Sequence, residues 1–179
     1  ITLKEYDGTI LKNLPRPHLP WEEEGITKQI LDRNNICFNP KNNAIVIPHY
    51  DINARLVGIR ERALGLEQIE RYGKYRPAYI GGKMYNHTLS FNLFNINNSK
   101  DNIRKIKKAL IFEGEKSCLL YQSYFRPEND ISVACCGNHI ALCQFQLLLN
   151  LGIEELIVCF DHDFQTLRDE NVPTIEKYS

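Results

Sequence analysis

Three short apolar runs decide the fold: ALIFE at 109–113, ISVACC at 131–136 and ELIVCF at 155–160. Each is almost wholly apolar, without the alternation of a half-solvated strand, so each reads as a strand buried on both faces. Between them lie two segments of helical composition, EKSCLLYQSYF at 115–125 and HIALCQFQLLLNLG at 139–152. Gly152 is placed to cap the second of these helices. Short strands alternating with helices imply a parallel βαβαβ sheet covered on both faces. Such crossovers are right-handed in nearly all proteins, so the three strand C-termini emerge at one edge. That is the edge at which open α/β sheets bind ligands.

The residues at this edge carry chemistry. Glu113-Gly114-Glu115 follows the first strand, Gly137 the second, and Asp161-His162-Asp163 the third. Along extended backbone, residues two apart point to the same side, so Asp161 and Asp163 can face one point while His162 faces away. Converging carboxylates repel strongly unless a cation neutralises them. An all-oxygen donor set favours Mg2+ or Mn2+ over zinc. The expected site is therefore Glu113, Asp161 and Asp163 around a divalent metal, with Gly114 and Gly137 letting backbone come close. A lone D-x-D or Glu-Gly is a common surface feature; the weight lies in all three standing at one sheet edge. The histidines and four of the aromatic residues are given structural roles: Trp21 as a packing anchor, and Tyr121, Tyr124 and Phe125 as core.

Upstream, the pattern changes. LPWEEEGITKQILDRNN, ending at 35, reads as one short helix, with acidic residues early and basic ones late. AIVIPHY and ARLVGIRER read as two strands joined by a turn at Asp51-Ile52-Asn53, with Pro48 implying an edge position or a strand end. A helix or loop follows at LGLEQIERYGKYR, then strands and turns in PAYIGGKMYNHTLSFNLFNI, then a basic helix in NNSKDNIRKIKK. The expected division is a mixed α+β unit at 1–100 and the parallel unit at 101–179.

The zero net charge conceals an asymmetry: residues 1–108 hold 18 basic against 11 acidic side chains, and residues 109–179 hold 4 against 11. One half suited to a polyanion sits beside one suited to cations, although two domains attracting each other would show the same split. The six cysteines form no C-x-x-C pair and lie mostly in apolar stretches, so they read as small buried hydrophobes in a reducing cytoplasm. No stretch approaches the roughly 18 apolar residues of a membrane span. The chain opens on Ile1 rather than Met, and is expected to be a piece of a longer protein.

The motifs IFEGEKS, CCGNHIALCQ and CFDHD together resemble the TOPRIM domain shared by bacterial-type primases, topoisomerases and some nucleases. The resemblance assigns Glu113 to acid/base or metal work, Asp161 and Asp163 to metal binding, and Gly137 and Gln144 to the turn and helix positions. Ser117 stands where many members carry an acid, Phe164 and Gln165 replace a small residue and Gly, and the late acidic motif is absent. The parallel unit thus reads as a C-terminally truncated TOPRIM subdomain. Upstream, Ile47-Pro48, Val57-Gly58-Ile59-Arg60-Glu61-Arg62, Lys74-Tyr75 and Phe91-Asn92-Leu93 resemble the basic half of the RNA-polymerase domain of bacterial-type DNA primases, especially phage and mobile-element versions.

That resemblance implies a primosome enzyme of DNA replication, a nucleotidyltransferase making short RNA primers on single-stranded DNA. Its expected partners are the template, nucleoside triphosphates and a replicative helicase, with no membrane. Arg60, Arg62, Lys74, Tyr75 and Lys83 are the expected nucleic-acid or nucleotide contacts, through phosphate pairing and base stacking. Two rivals stay open: a metal-dependent TOPRIM nuclease, and a non-catalytic nucleic-acid or helicase-docking module.

Overall fold

The computed structural model describes residues 2–17 and 19–161, with the backbone of Thr166–Asp169 and Val172–Ile175. Three short helices open the chain: α1 (Thr9–Lys12), α2 (Pro20–Glu23) and α3 (Lys28–Arg33). The single helix expected across the last two is broken, because Gly25 takes φ +101° between them. An L side chain resists that conformation, so glycine is where the chain can turn. Trp21, fully buried, and Ile26, Ile30 and Leu31 face inward on either side of the break.

An antiparallel sheet follows, in the order β1 (Cys37–Asn39), β2 (Ala44–Tyr50), β3 (Leu56–Ala63) and β4 (Tyr75–Pro77). Pro48 lies inside β2, the second strand of four, opposite Ile59. β1 pairs only with residues 44–46 of β2, so no ladder hydrogen bond is asked of the missing proline N–H on that side. β3 alternates cleanly over its second half: Ile59, Glu61 and Ala63 are buried, and Arg60 and Arg62 share the opposite, partly open face. Buried Glu61 accepts from Asn39 at 2.7 Å and Asn42 at 2.9 Å, and lies 3.5 Å from Arg76. It is a structural carboxylate, satisfied as a buried charge must be.

Helix α4 (Leu66–Tyr72) stops at Gly73, and a small hairpin of β5 (Tyr79–Ile80) and β6 (Lys83–Met84) turns on Gly81-Gly82. Both glycines have positive φ, +59° and +80°, as a two-residue hairpin turn of this hand requires. Helix α5 (Ile96–Ile106) then leads into the second half.

There the expected order of elements is present: β7 (Lys108–Phe112), α6 (Glu115–Phe125), β8 (Ser132–Ala134), α7 (Leu142–Asn150) and β9 (Glu155–Cys159). The edge strand β9 departs from the expected double-sided burial, with Ile157 and Val158 exposed among the described residues. β7 is central and pairs in parallel with β8 on one side and β9 on the other. Gly152, at φ +77°, donates to the Leu149 carbonyl at 2.8 Å and caps α7 as its position implied. Buried Gln144 anchors the other end: Nε2 meets the carbonyls of Leu89, Asn92 and Cys135 at 2.9–3.0 Å, while Oε1 accepts from Ala141 N–H. A further antiparallel pair, β10 (Thr166–Asp169) and β11 (Val172–Ile175), follows.

The two sheets are locked together. Phe94 forms an antiparallel bridge with Ala134 of β8, with N–H···O distances of 2.9 and 3.2 Å. One apolar core contains Trp21, Ile30, Ile45 and Ile47 from the first half with Cys118, Leu119 and Ala134 from the second. Of the α6 aromatic residues expected in the core, Tyr121 packs against it, whereas Tyr124 and Phe125 are exposed at 73% and 56%, because α6 turns its Cys118–Leu119 face inward. All six cysteines are unbridged, and Cys37, Cys118 and Cys135 are buried. Among the described residues, no helix is long and apolar enough to cross a membrane.

Candidate nucleotide and metal site

The C-terminal ends of the parallel strands open into a cleft of about 420 Å³. Glu113 enters it directly after β7, Gly114 to Ser117 from the start of α6, Cys136 to Asn138 after β8, and Asp161 after β9. The opposite wall comes from the antiparallel sheet: Arg60 of β3, and Lys74 and Tyr75 at the start of β4. The fold therefore brings Glu113 and Asp161 into one space with Arg60, Lys74 and Tyr75. Parallel register is the reason the acids meet, since it places Phe112 level with Ala134 and Cys159. Asp163 and His162 lie outside the described residues.

Arg62 and Lys83 are placed elsewhere. The Arg62 guanidinium lies 5.7 Å over the Trp21 ring. Lys83, on the β5–β6 hairpin, sits 5.1 Å from the ring centre of Tyr6 and 5.2 Å from that of Tyr85. Gly114 and Gly137 have no heavy atom within 4 Å of where a Cβ would stand. Neither has positive φ; that conformation falls on Cys136, at +60°. The chain's own packing makes no demand for glycine at 114 or 137, and their missing side chains leave the cleft wider. Lys116 pairs with Glu24 at the rim.

A buried polar cluster stands behind this cleft, and sequence reasoning missed it. Glu115, 1% exposed, takes Arg60 Nη1 at 2.6 Å and His49 Nε2 at 3.1 Å on the same oxygen. Burial disfavours its ionisation, but the His49 hydrogen bond and the Arg60 charge outweigh that and hold the carboxyl down at about 2. His49 is pushed below its usual range by burial, which outweighs the pull of Glu115. His87 packs against it with the rings tilted at 51° and their centres 4.7 Å apart, and is driven down to about 3, first by burial and then by His49 and Arg60. Tyr75 is pushed up to about 12 by burial and the Glu115 charge. The available signal was His49 itself: a histidine in the otherwise apolar AIVIP strand has to find a buried partner.

The donor chemistry of the cleft fits a hard divalent cation. Glu113 and Asp161 offer carboxylate oxygens, with Arg60 and Lys74 across the cleft for the phosphates such a cation would share. His49, Glu115 and Cys136 also gather, their ligand atoms within 4.8 Å of one another. Arg60 already bonds the Glu115 oxygen there, so a guanidinium occupies the charge position a cation would need.

No family model matches the chain. The SPbeta prophage-derived uncharacterized protein YorJ of Bacillus subtilis strain 168 is 37% identical over 164 residues, covering 90% of this chain and 43% of its own. The zinc-binding and RNA-polymerase domains of Aquifex aeolicus primase superpose with a TM-score of 0.66 at 18% identity, over 79% of this chain and 41% of that one. A DnaG primase catalytic domain bound to single-stranded DNA gives 0.64 at 16% identity, over 87% and 59%. The RNA-polymerase domain of Mycobacterium tuberculosis DnaG, in complex with a double-stranded DNA oligomer bearing a 6-nucleotide overhang, gives 0.64 at 17%, over 79% and 55%. The chain thus spans roughly half the length of the proteins it resembles. Its parallel sheet, the antiparallel sheet before it and the cleft between them have the fold of the catalytic RNA-polymerase domain of bacterial DnaG primases.

Proposed function

We propose that the chain is the catalytic core of a DNA primase, joining nucleotides into short RNA primers on a single-stranded DNA template. The observation that carries this is the cleft: acidic strand ends on one wall, Arg60, Lys74 and Tyr75 on the other, in the fold of primase catalytic domains. The reaction is attack of a primer 3′-hydroxyl on the α-phosphate of a nucleoside triphosphate, with pyrophosphate leaving. Glu113, Asp161 and Asp163 would hold Mg2+ or Mn2+, which withdraws charge from the reacting phosphate when bound. Arg60 and Lys74 pair with phosphate oxygens and fix the triphosphate or the template strand. Tyr75, its hydroxyl kept protonated at neutral pH, offers an uncharged ring against a base or sugar. Arg62 and Lys83, lying off the cleft, are proposed as contacts along the path of the template.

Residues 1–100 and 101–179 are read as the basic and TOPRIM subdomains of this core. It would work in the cytoplasm beside a replicative helicase, a pairing that co-purification with the cognate helicase tests. The decisive assay supplies single-stranded DNA, labelled nucleoside triphosphates and Mn2+ to the longest natural form of the chain, and looks for short RNA products. Labelled DNA without nucleotides runs in parallel. Cleavage there with no primer synthesis would overturn the primase reading in favour of a nuclease. If synthesis occurs but survives Asp161→Ala with Asp163→Ala, the acidic edge is not the catalytic site.

A further inference from the structure

Arg60 reaches the cleft already restrained from two directions. Nη1 is bound to Glu115 at 2.6 Å, and the guanidinium carbon lies 5.1 Å from the Tyr75 ring centre. Glu115 is in turn fixed by His49, each side chain 1% exposed. A carboxylate can only accept, so His49 Nε2 carries the proton and donates. His49 is itself wedged between His87 at 4.7 Å and Phe94 at 5.3 Å, so the support extends into the core. The Arg60 side chain keeps 14% of its surface, on the cleft side of this cluster.

A guanidinium carries five N–H donors in a planar fork, and one contact to Glu115 leaves most of the fork for a ligand. An unrestrained arginine loses rotamer freedom when it grips a phosphate, whereas a clamped one has already lost it on folding. We propose that Glu115, backed by His49, is a positioning residue that presents the Arg60 guanidinium to a phosphate group bound in the cleft. This rests on the cleft being a phosphate site, and goes beyond it by giving Glu115 and His49 a part in binding.

Equilibrium binding without turnover tests it, using two probes that separate the sources of phosphate: ATP with Mg2+, and a labelled single-stranded DNA oligonucleotide. Glu115→Gln, Arg60→Gln and the double variant are compared with the wild type, each checked by thermal unfolding. About a tenfold loss for one probe is expected from each single change, with the double variant no worse than Arg60→Gln alone. The probe that weakens identifies the phosphate. Wild-type binding of both probes by Glu115→Gln, or a double variant that loses the product of the two single factors, overturns the proposal. Should Glu115→Gln fail to fold, Arg60→Lys decides, because it keeps a cation for Glu115 but loses the fork. Roughly tenfold weaker binding supports the clamp, and unchanged binding overturns it. Glu113→Gln in the primer-synthesis assay separates the two ideas. Wild-type synthesis there would count against the catalytic reading of the cleft and leave the clamp to be judged on binding alone.

Discussion

Replacing Gly58 by alanine would drive a methyl group into the His87 imidazole. A Cβ built on Gly58 stands 2.0 Å from His87 Nδ1 and 2.6 Å from Cγ, where ordinary contact begins near 3.4 Å. The ring would have to retreat by about 1.4 Å. It cannot do so without disturbing His49, 4.7 Å away ring to ring, and with it the Glu115–Arg60 pair. Overpacking of this kind costs about 1–3 kcal/mol. Removing a glycine from a strand interior returns roughly 0.5–1 kcal/mol. The net expectation is a loss of about 1–2 kcal/mol, which for a chain of this length lowers the melting midpoint by roughly 2–8 °C. Thermal unfolding followed by circular dichroism measures it, and His87→Ala supplies the control. With the imidazole gone, Gly58→Ala should cost little or nothing further. A Gly58→Ala protein that melts at or above the wild type would refute the reasoning, as would a penalty that persists in the His87→Ala background.

Acid should destabilise the fold in two stages. His87, at about 3 in the fold against 6.5 unfolded, contributes stability that is full above pH 6.5 and is lost as pH falls toward 3, at up to about 1.4 kcal/mol per pH unit. Glu115, at about 2 against 4.5, adds a second loss between those values, and urea midpoints measured from pH 7 to 3 should show the slope and its weakening in His87→Phe. Trp21→Ala removes the largest fully buried side chain from the core the two sheets share, and should cost about 3–5 kcal/mol by denaturant unfolding. Chelation by EDTA should abolish primer synthesis and Mn2+ restore it. Asp161→Asn should weaken Mn2+ binding by calorimetry while leaving the melting midpoint within a degree or two, because Asp161 is exposed.

Much of the second half was legible in the chain itself. Apolar runs at 109–112, 131–135 (broken only by Ser132) and 156–160 read as strands of a helix-covered sheet, and helical spacers between them imply a parallel order. The carboxylates that end the first and third runs then share an edge by geometry alone, which is why Glu113 and Asp161 are legible as neighbours in the sequence. The first half was less legible. Gly25 broke an expected helix, because only its left-handed backbone allows Trp21 and Ile30 to enter one core. The relation of Glu115 to Arg60 and His49 was decided by tertiary packing. The contacts span 55 and 66 residues and depend on how β2 and β3 lie against the start of α6, which no local period encodes. Local pattern determined the sheet and its acidic edge, because burial and side-chain period act over a few residues. The support behind Arg60 arises only where two sheets meet, because a buried carboxylate is stable only with the partners that packing brings to it.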